Sequence, residues 1–508
     1  MKRYLKTIRK VIGGVFLLLF AAAPFLNAIR LGPQGGMRHL MELNPLVGLA
    51  TALATGLLYS GLWLGAALLV LTLIFGRFFC SWMCPLGVTQ DACSVAPRVN
   101  TARARRARNR YRRMYHLKYG LLVGLLVLAV LGPLQVGLLD PLALFLRTVS
   151  GILVPGMQHS GLPVGTVSRM TAGALVFGLL FVGILVVTRW IPRAWCRTVC
   201  PLGALLGVAA RWSLFQIRRD QKTCTDCGQC AAVCNGAADP HALLRPTECV
   251  LCFNCVAVCP QDALTYGRPA PARQQSPESP DVSRRRALAA VAGGAIAFPL
   301  LRSAASSANR PRPALIRPPG SLPEKEFLAR CVKCSACMAV CPTGGLQPAL
   351  TQGGFETLWS PVLVPRIGHC EAACNRCGHQ CPTGAIRPLQ RSDRTGGKSK
   401  KPVKIGTAFV DRGRCLPWAM GRACLVCEEV CPVSPKAIWV ETVQTPKPGG
   451  GTLALGRPRV EPQRCIGCGA CENHCPVAGR AAIRVSSVGE SRSQRNLLLL
   501  SASAGKES

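Results

Sequence analysis

The chain has 508 residues, of which 49% are hydrophobic and only 17% charged, and its mean hydropathy is +0.27. Lys and Arg number 61 against 23 acids, a formal net charge of +38, and there are 29 cysteines. An ordinary soluble protein carries about 25% charged residues, so these figures exclude a disordered chain, a collagen-like chain and a plain soluble globule, and they direct part of the sequence to lipid.

Met1–Lys10 carries five basic residues and no acid, and Val11–Ile29 then runs apolar for 19 residues. That is enough to cross a hydrocarbon core of roughly 30 Å. Asn27–Arg30 offers no good small-residue cleavage site, so the run is expected to stay as a span rather than act as a cleaved signal. Leu43–Gly76 has no charge, with the crossing expected at Leu58–Phe75 after a partly embedded outer segment. Tyr119–Leu139 and Thr171–Thr188 are two further expected spans. Arg77 to Lys118 holds ten basic residues and one acid, Asp91, and a second basic group follows the fourth span from Arg189 to Lys222. By the positive-inside bias these regions and the N-terminus are cytoplasmic. No nucleic-acid recognition motif accompanies the charge, so no nucleic-acid partner is expected.

The motif Arg-x-x-Cys-x-x-x-Cys-Pro-Leu-Gly occurs twice, from Arg77 with Cys80 and Cys84, and from Arg193 with Cys196 and Cys200. Each copy ends a two-helix hairpin, so residues 1–222 read as two parallel hairpin repeats in a four-helix membrane domain. Cysteines four apart share a helical face. Cys80, Cys84, Cys196 and Cys200 are therefore a candidate redox or metal site, with a Pro-stopped helix cap as the bland alternative. Cys93 has no partner in the pattern.

Twenty-four cysteines fall into six sets. Cys224, Cys227, Cys230 and Cys234 follow C-x2-C-x2-C-x3-C. Cys249, Cys252, Cys255 and Cys259, then Cys331, Cys334, Cys337 and Cys341, and Cys465, Cys468, Cys471 and Cys475, repeat it with a following proline. Cys370, Cys374, Cys377 and Cys381 lengthen the first gap by one residue. Cys415, Cys424, Cys427 and Cys431 lengthen it to eight. Three thiolates within seven residues let a loop hold three corners of a [4Fe–4S] cluster, and the fourth reaches the partner cluster. Zinc sites use two distant C-x2-C pairs, and cysteines three apart bridge poorly as disulfides. Six [4Fe–4S] clusters are expected. In residues 223–268, a two-cluster ferredoxin-like module, Cys224, Cys227 and Cys230 are expected to share a cluster with Cys259, and Cys249, Cys252 and Cys255 with Cys234. In residues 310–484, a four-cluster polyferredoxin α+β module, spacing leaves nested and adjacent pairing both open.

Residues 269–309 join the two modules. Arg268–Asp281 is rich in Pro, Gln and Ser, and Ser283-Arg284-Arg285-Arg286 precedes Ala287–Leu301, fifteen residues without charge. This matches a twin-arginine export signal, with a short stop-transfer anchor as the alternative. Either places the second module outside the cytoplasm, and only a non-inserting segment would leave it inside. Lys398, Lys400, Lys401 and Lys404 on that module form a basic loop that could steer an acidic redox partner. Trp418 and Trp439 read as core. The tail 485–508 reads as disordered.

On these motifs, residues 1–268 resemble the integral-membrane ferredoxin-type component of the periplasmic nitrate reductase electron-transfer system, and residues 283–484 resemble the exported four-cluster component of the same system. The methylamine-utilisation ferredoxin-type pair is similar. The resemblance implies one chain carrying both components in a bacterial inner membrane, with a cytoplasmic first module and a periplasmic second. It implies a quinol dehydrogenase component that passes electrons from the membrane quinol pool to an exported redox protein or reductase. It also implies nested pairing: Cys331, Cys334, Cys337 with Cys475; Cys465, Cys468, Cys471 with Cys341; Cys370, Cys374, Cys377 with Cys431; and Cys415, Cys424, Cys427 with Cys381. Cys234 departs from the pattern, being followed by Asn235 rather than proline. No C-x-x-C-H haem motif or G-x-G-x-x-G dinucleotide loop is present. Asp140 and Arg147, beside the third span, are candidates for a quinol site. Two other functions stay open: reduction of a partner's metal during maturation, since the membrane cluster protein of copper-oxidase assembly also has paired C-x3-C-P motifs, and a non-catalytic assembly scaffold.

Overall fold

In the computed structural model, placement is described for residues 2–28, 36–57, 61–94, 101–159, 172–242, 244–268, 284–303, 314–350, 352–395, 402–446, 451–494 and 496. The first hairpin begins with α1 (Lys2–Ala28), passes the short α2 (Gly36–Glu42) and α3 (Pro45–Thr55), and returns along α4 (Leu62–Phe75). The C-x3-C-P motif then forms a helical step, α5 (Phe79–Trp82) into α6 (Pro85–Cys93). After α7 (Ala102–Asn109) the second hairpin repeats the plan. It comprises α8 (Leu117–Val130), α9 (Pro141–Thr148), α10 (Val154–His159), α11 (Ala172–Thr188), and the step α12 (Ala194–Thr198) into α13 (Pro201–Ala210). Two helical runs, Tyr4–Asn27 and Arg103–Val130, are long and apolar enough to cross a membrane by length and composition. Leu62–Phe75 and Gly173–Thr188 are shorter apolar helices.

The repeat extends beyond the cysteines. Asn44-Pro45-Leu46 opens α3 and Asp140-Pro141-Leu142 opens α9. Each first side chain caps its helix: Asn44 Oδ1 accepts from Leu46 N at 3.0 Å, and Asp140 Oδ1 from Ala143 N at 2.9 Å. The two caps meet, Asn44 Nδ2 donating to Asp140 Oδ2 at 2.5 Å. The glycine that closes each cysteine motif is also explained. A Cβ on Gly87 would sit 2.2 Å from the Cys80 carbonyl oxygen, and one on Gly203 would sit 2.4 Å from Arg77 Nη2. At Gly87 only glycine lets the second helix of the step approach the first this closely, whereas at Gly203 the space is taken by the end of the Arg77 side chain.

The third expected span is shorter than its apolar run. α8 stops at Val130 rather than Leu139, because Gly132 takes a φ of +118° and Pro133 has no amide to continue the helix.

The four-helix expectation gains a fifth long helix. The segment read as an export signal forms α16 (Arg284–Ser303) and packs along α8. The contact uses small residues. A Cβ on Gly294 would lie 2.9 Å from Gly124 O, and those on Gly120 and Gly124 would lie 3.9 and 3.7 Å from Ala290. Such close helix approach is typical of packing inside lipid. The linker 269–283 and residues 304–313 lie outside the described residues.

In the first cysteine module β1 (Gln216–Arg219) and β2 (Leu264–Gly267) pair antiparallel around the cysteine loops, which carry α14 (Gln229–Ala232) and α15 (Asn254–Val258). The second module begins with α17 (Glu324–Arg330). It has three antiparallel pairs: β3 (Leu346–Pro348) with β4 (Pro361–Leu363), β5 (Thr407–Val410) with β8 (Ile483–Ser486), and β6 (Ile438–Pro446) with β7 (Thr452–Val460). The tail expected to be disordered from Val485 is ordered at its start. Val485 and Ser486 pair with Ala408 and Thr407 in β8. Arg492 then binds Glu324, at 2.7 Å, beside Arg317, at 2.6 Å. Burial pushes the Glu324 carboxyl up, but the two arginines outweigh it and hold the pKa at about 2. Leu497–Leu500 lies outside the described residues.

The modules dock at opposite ends of the helices. At one end the Phe215 amide donates to Ile74 O at 3.0 Å, Trp82 Nε1 donates to Leu251 O at 3.1 Å, and the buried Lys118 pairs with the buried Glu248. At the other, Gln380 Nε2 donates to Asn27 Oδ1 at 3.1 Å, the Leu134 amide to Leu328 O at 3.3 Å, and Trp359 packs against Phe177 with ring centroids 4.1 Å apart.

Candidate metal centres

The cysteine loops share a backbone device. In the four sets spaced C-x2-C-x2-C, the residues just before and just after the second cysteine have positive φ. These are Asp226 and Gly228, Leu251 and Phe253, Lys333 and Ser335, and Gly467 and Gly469. Two left-handed residues coil the loop so that three thiols point inward. Non-glycine residues there cost on the order of 1–3 kcal/mol each, so a strong interaction at the thiols has to hold the loop. The two sets with longer first gaps do not use this turn: Asn375 and Leu425, after the second cysteine, have φ of −130° and −116°.

In the first module eight cysteines line two separate cavities. Cys224, Cys227, Cys230 and Cys259 line one cavity, and Cys234, Cys249, Cys252 and Cys255 line another.

In the second module the structure overturns the nested arrangement. Cys370, Cys374 and Cys377 surround a cavity with Cys341, not Cys431. Cys331, Cys334 and Cys337 are neighbours of Cys381, not Cys475. Cys415 and Cys427 lie with Cys424 and Cys475, not Cys381. Cys465 and Cys468 lie with Cys431, not Cys341. The physical reason is local: each pair of successive sets folds as one ferredoxin-like unit, and the two units then abut, with the Cys370 amide donating to Cys468 O at 2.8 Å. Consecutive pairing closes shorter loops than nesting.

Among the described residues no three His, Cys, Asp or Glu side chains converge as they would on a single metal ion. Four thiols spread around a cavity fit a larger, multi-atom group, and a four-iron cube has that shape.

Cys80, Cys84, Cys196 and Cys200 are all buried, between the long helices and the first module. Burial raises the thiol pKa of Cys84, Cys196 and Cys200, and neighbouring thiols of the same group add to it. The four are thus close neighbours, without convergence on one ion. Polar contacts hold this layer: Arg77 Nε donates to Cys80 Sγ at 3.2 Å, and Arg193 Nη1 to Cys80 O at 2.9 Å. Cys93 stands apart, half-buried at the end of α6.

Asp140 is engaged as the cap of α9, and Arg147 is buried in the docking seam. There Arg147 donates to Lys333 O at 2.7 Å and to Gly137 O at 2.6 Å, and lies over the Phe177 ring. Lys398, Lys400 and Lys401 lie outside the described residues, and Lys404 Nζ donates to Pro462 O. Trp418 is half-buried, with the guanidinium groups of Arg412, Arg457 and Arg459 at 4.5, 4.6 and 5.3 Å from its ring, and Trp439 is exposed rather than core.

Asn235, the residue standing where the pattern has proline, is a link that the motif alone did not reveal. Its Nδ2 donates to Asp91 Oδ1 at 3.0 Å, and its carbonyl accepts from Arg197 at 2.8 Å. Asp91 also accepts from Arg193 at 2.7 Å and Arg9 at 2.6 Å. Burial raises the Asp91 pKa, but these cations reverse the effect and lower it. A proline could not make the side-chain bond. The lone acid in a basic stretch was the available signal.

A 4Fe-4S binding domain family matches residues 57–99 and again 173–220, one match on each C-x3-C-P repeat. A 4Fe-4S dicluster domain matches residues 248–346, and a further 4Fe-4S binding domain matches 457–483. The methylamine utilization ferredoxin-type protein MauM of Methylorubrum extorquens is 37% identical over 179 residues, 35% of this chain and 76% of MauM. MauM of Paracoccus denitrificans is 37% identical over 211 residues, 40% of this chain and 84% of that protein. YccM of Escherichia coli, whose name places it in electron transport, is 30% identical over 256 residues, 47% of this chain and 65% of YccM. No solved structure matches the chain. These likenesses support iron–sulfur electron transfer by this chain. Since the chain covers most of the length of both MauM proteins, it belongs to the ferredoxin-type protein family of MauM.

Proposed function

We propose that the chain is an inner-membrane electron carrier holding six [4Fe–4S] clusters, which takes electrons from quinol and delivers them to an exported redox protein. The observation that carries this reading is the docking of the two cysteine modules at opposite ends of the long helices. α16 joins them as a fifth crossing, so the second module stays tethered outside. When bound, each cluster accepts one electron, and quinol gives up two electrons and two protons on becoming quinone.

The chain's own part is to hold and tune. Cys224, Cys227, Cys230 and Cys259 would hold one cluster, and Cys249, Cys252, Cys255 and Cys234 the second. The adjacent sets of the second module would hold four more. Backbone amides of Ala238, Ile386 and Ala482 donate to the sulfurs of Cys234, Cys381 and Cys475 at 3.3, 3.4 and 3.4 Å. Arg394 donates to Cys370 Sγ at 3.2 Å. Such donors favour the more negative, reduced state and raise the potential. The second module also orders its sites outward. Cys334 packs into the core of the long helices, and the group of Cys415, Cys424 and Cys427 belongs to the second unit, farther along the module. Beside that group Met420 and Leu425 are exposed, next to the arginines around Trp418. A basic rim with an apolar centre suits an acidic redox partner.

Anaerobic addition of a reduced quinol analogue to the purified protein tests the reading. The cluster absorbance is expected to bleach and to return on adding excess quinone. Clusters that respond to dithionite but to neither quinol nor quinone would remove quinol from the reading.

A further inference from the structure

A cavity of about 850 Å³ lies where α1, α6 and α7 meet the first module. Its size is within the range of small-ligand sites. Lys6, Arg9, Lys10, Arg105 and Arg108 line it, against the single carboxylate of Asp91. That carboxylate is already taken by Arg9 and Arg193 at 2.6 and 2.7 Å and by Asn235 at 3.0 Å. The wall therefore presents an excess of positive charge.

Three of the lining residues each carry one buried side-chain atom without a hydrogen-bond partner among the described residues: Arg9 Nε, Arg108 Nε and Asn254 Oδ1. Arg9 is only 5% exposed. Buried polar atoms are satisfied in nearly all native structures, so three bare ones on side chains that line one cavity point to a ligand that draws those side chains round it. Two guanidinium donors call for anionic oxygens, for which phosphate is the natural partner. The bare Asn254 oxygen calls for a neighbouring hydroxyl or amine donor. Val88, Ala232 and Val258 supply an apolar side.

The position narrows the source. Arg9 and Lys10 are the last cations of α1 before its apolar run, and beyond them Val11, Val15 and Leu18 are 60%, 50% and 68% exposed. A ligand with phosphate at Lys10 could lay hydrocarbon along that face. We propose that the cavity binds the phosphate of an anionic glycerophospholipid with a free hydroxyl in its headgroup, seated between the helices and the first cysteine module. Basic pockets between helices on a cytoplasmic face bind such headgroups. Asn235 and Asn254 stand beside Cys234 and Cys255, so the lipid charge would act directly on that module. The proposal rests on the membrane reading above.

The full-length protein, exchanged into phosphatidylcholine nanodiscs, is titrated with phosphatidylglycerol, and bound lipid is counted by native mass spectrometry. In parallel it is titrated with glycerol 3-phosphate. One phosphatidylglycerol per chain is expected to be retained over phosphatidylcholine. Arg108→Gln with Lys10→Gln is expected to weaken that retention at least about tenfold, with iron content unchanged as the check on folding. Equal retention of both lipids, or retention unaffected by the double substitution, overturns the proposal. Glycerol 3-phosphate binding as tightly as the lipid overturns the lipid source. Failure of the membrane reading would look different: the protein would stay monodisperse in water without detergent and would not enter nanodiscs.

Discussion

Replacing Cys381 with serine is expected to remove the cluster held by Cys331, Cys334 and Cys337, and to lower iron from about 24 to about 20 atoms per chain. Single substitutions cannot tell adjacent from nested pairing, because each loses one cluster either way. Paired substitutions can, because changes within one site are not additive while changes at independent sites are. Cys334→Ser added to Cys381→Ser should leave iron at about 20, since both act on one cluster. Cys427→Ser added to Cys381→Ser should lower it to about 16, since two clusters go. Nested pairing demands the reverse pattern. The structural basis is that Cys381 neighbours Cys331, Cys334 and Cys337, while Cys427 lies with Cys415, Cys424 and Cys475.

Glu248→Ala is expected to loosen the first module from the helices at a cost of about 3–5 kcal/mol. Lys118 is 0% and Glu248 2% exposed, and the glutamate also accepts from Tyr119 Oη at 2.9 Å. Burial works against the Glu248 carboxylate, but Lys118 and Arg77 outweigh it and keep its pKa low. Removing the glutamate leaves the buried Lys118 ammonium and the buried Arg77 beside it without their carboxylate, which is why truncation costs more than the pair contributes. A second variant separates charge from packing. Lys118→Met with Glu248→Leu removes the pair and keeps volume, and should recover part of the loss, the remainder reporting the buried Arg77 that also loses its carboxylate. The readout is the thermal midpoint of first-module cluster bleaching in detergent. A loss below about 1 kcal/mol in Glu248→Ala, the size of an exposed pair, would show that the pair does not anchor the module.

The cysteine spacing made the sites legible because ligation is local: three thiols within one short loop need no knowledge of the fold. The partner of each fourth cysteine was not legible, because it depends on which successive loops fold together, and a relative's arrangement was an unreliable guide. The small-residue face of α16, with Ala290 and Gly294 four apart, is visible in the sequence as a packing stripe, yet the twin arginines point toward export. The start of the tail carries little signal because β8 pairs antiparallel with the distant β5, Thr407 with Ser486 and Val410 with Ile483, and so short a strand is too brief to mark itself. The second repeat signature, Asn44-Pro45-Leu46 against Asp140-Pro141-Leu142, is present in the letters. Its meaning needed the contact between the two caps.

In the proposed function, electrons from quinol pass through the helical domain and leave from the second module. Proteoliposomes carrying quinol in the bilayer, with a membrane-impermeant oxidant supplied on one side at a time, test it most directly. The account predicts rapid reduction of the oxidant only from the side bearing the second module, and loss of that activity in Cys381→Ser. Equal rates from both sides, or an unchanged rate in Cys381→Ser, would contradict it.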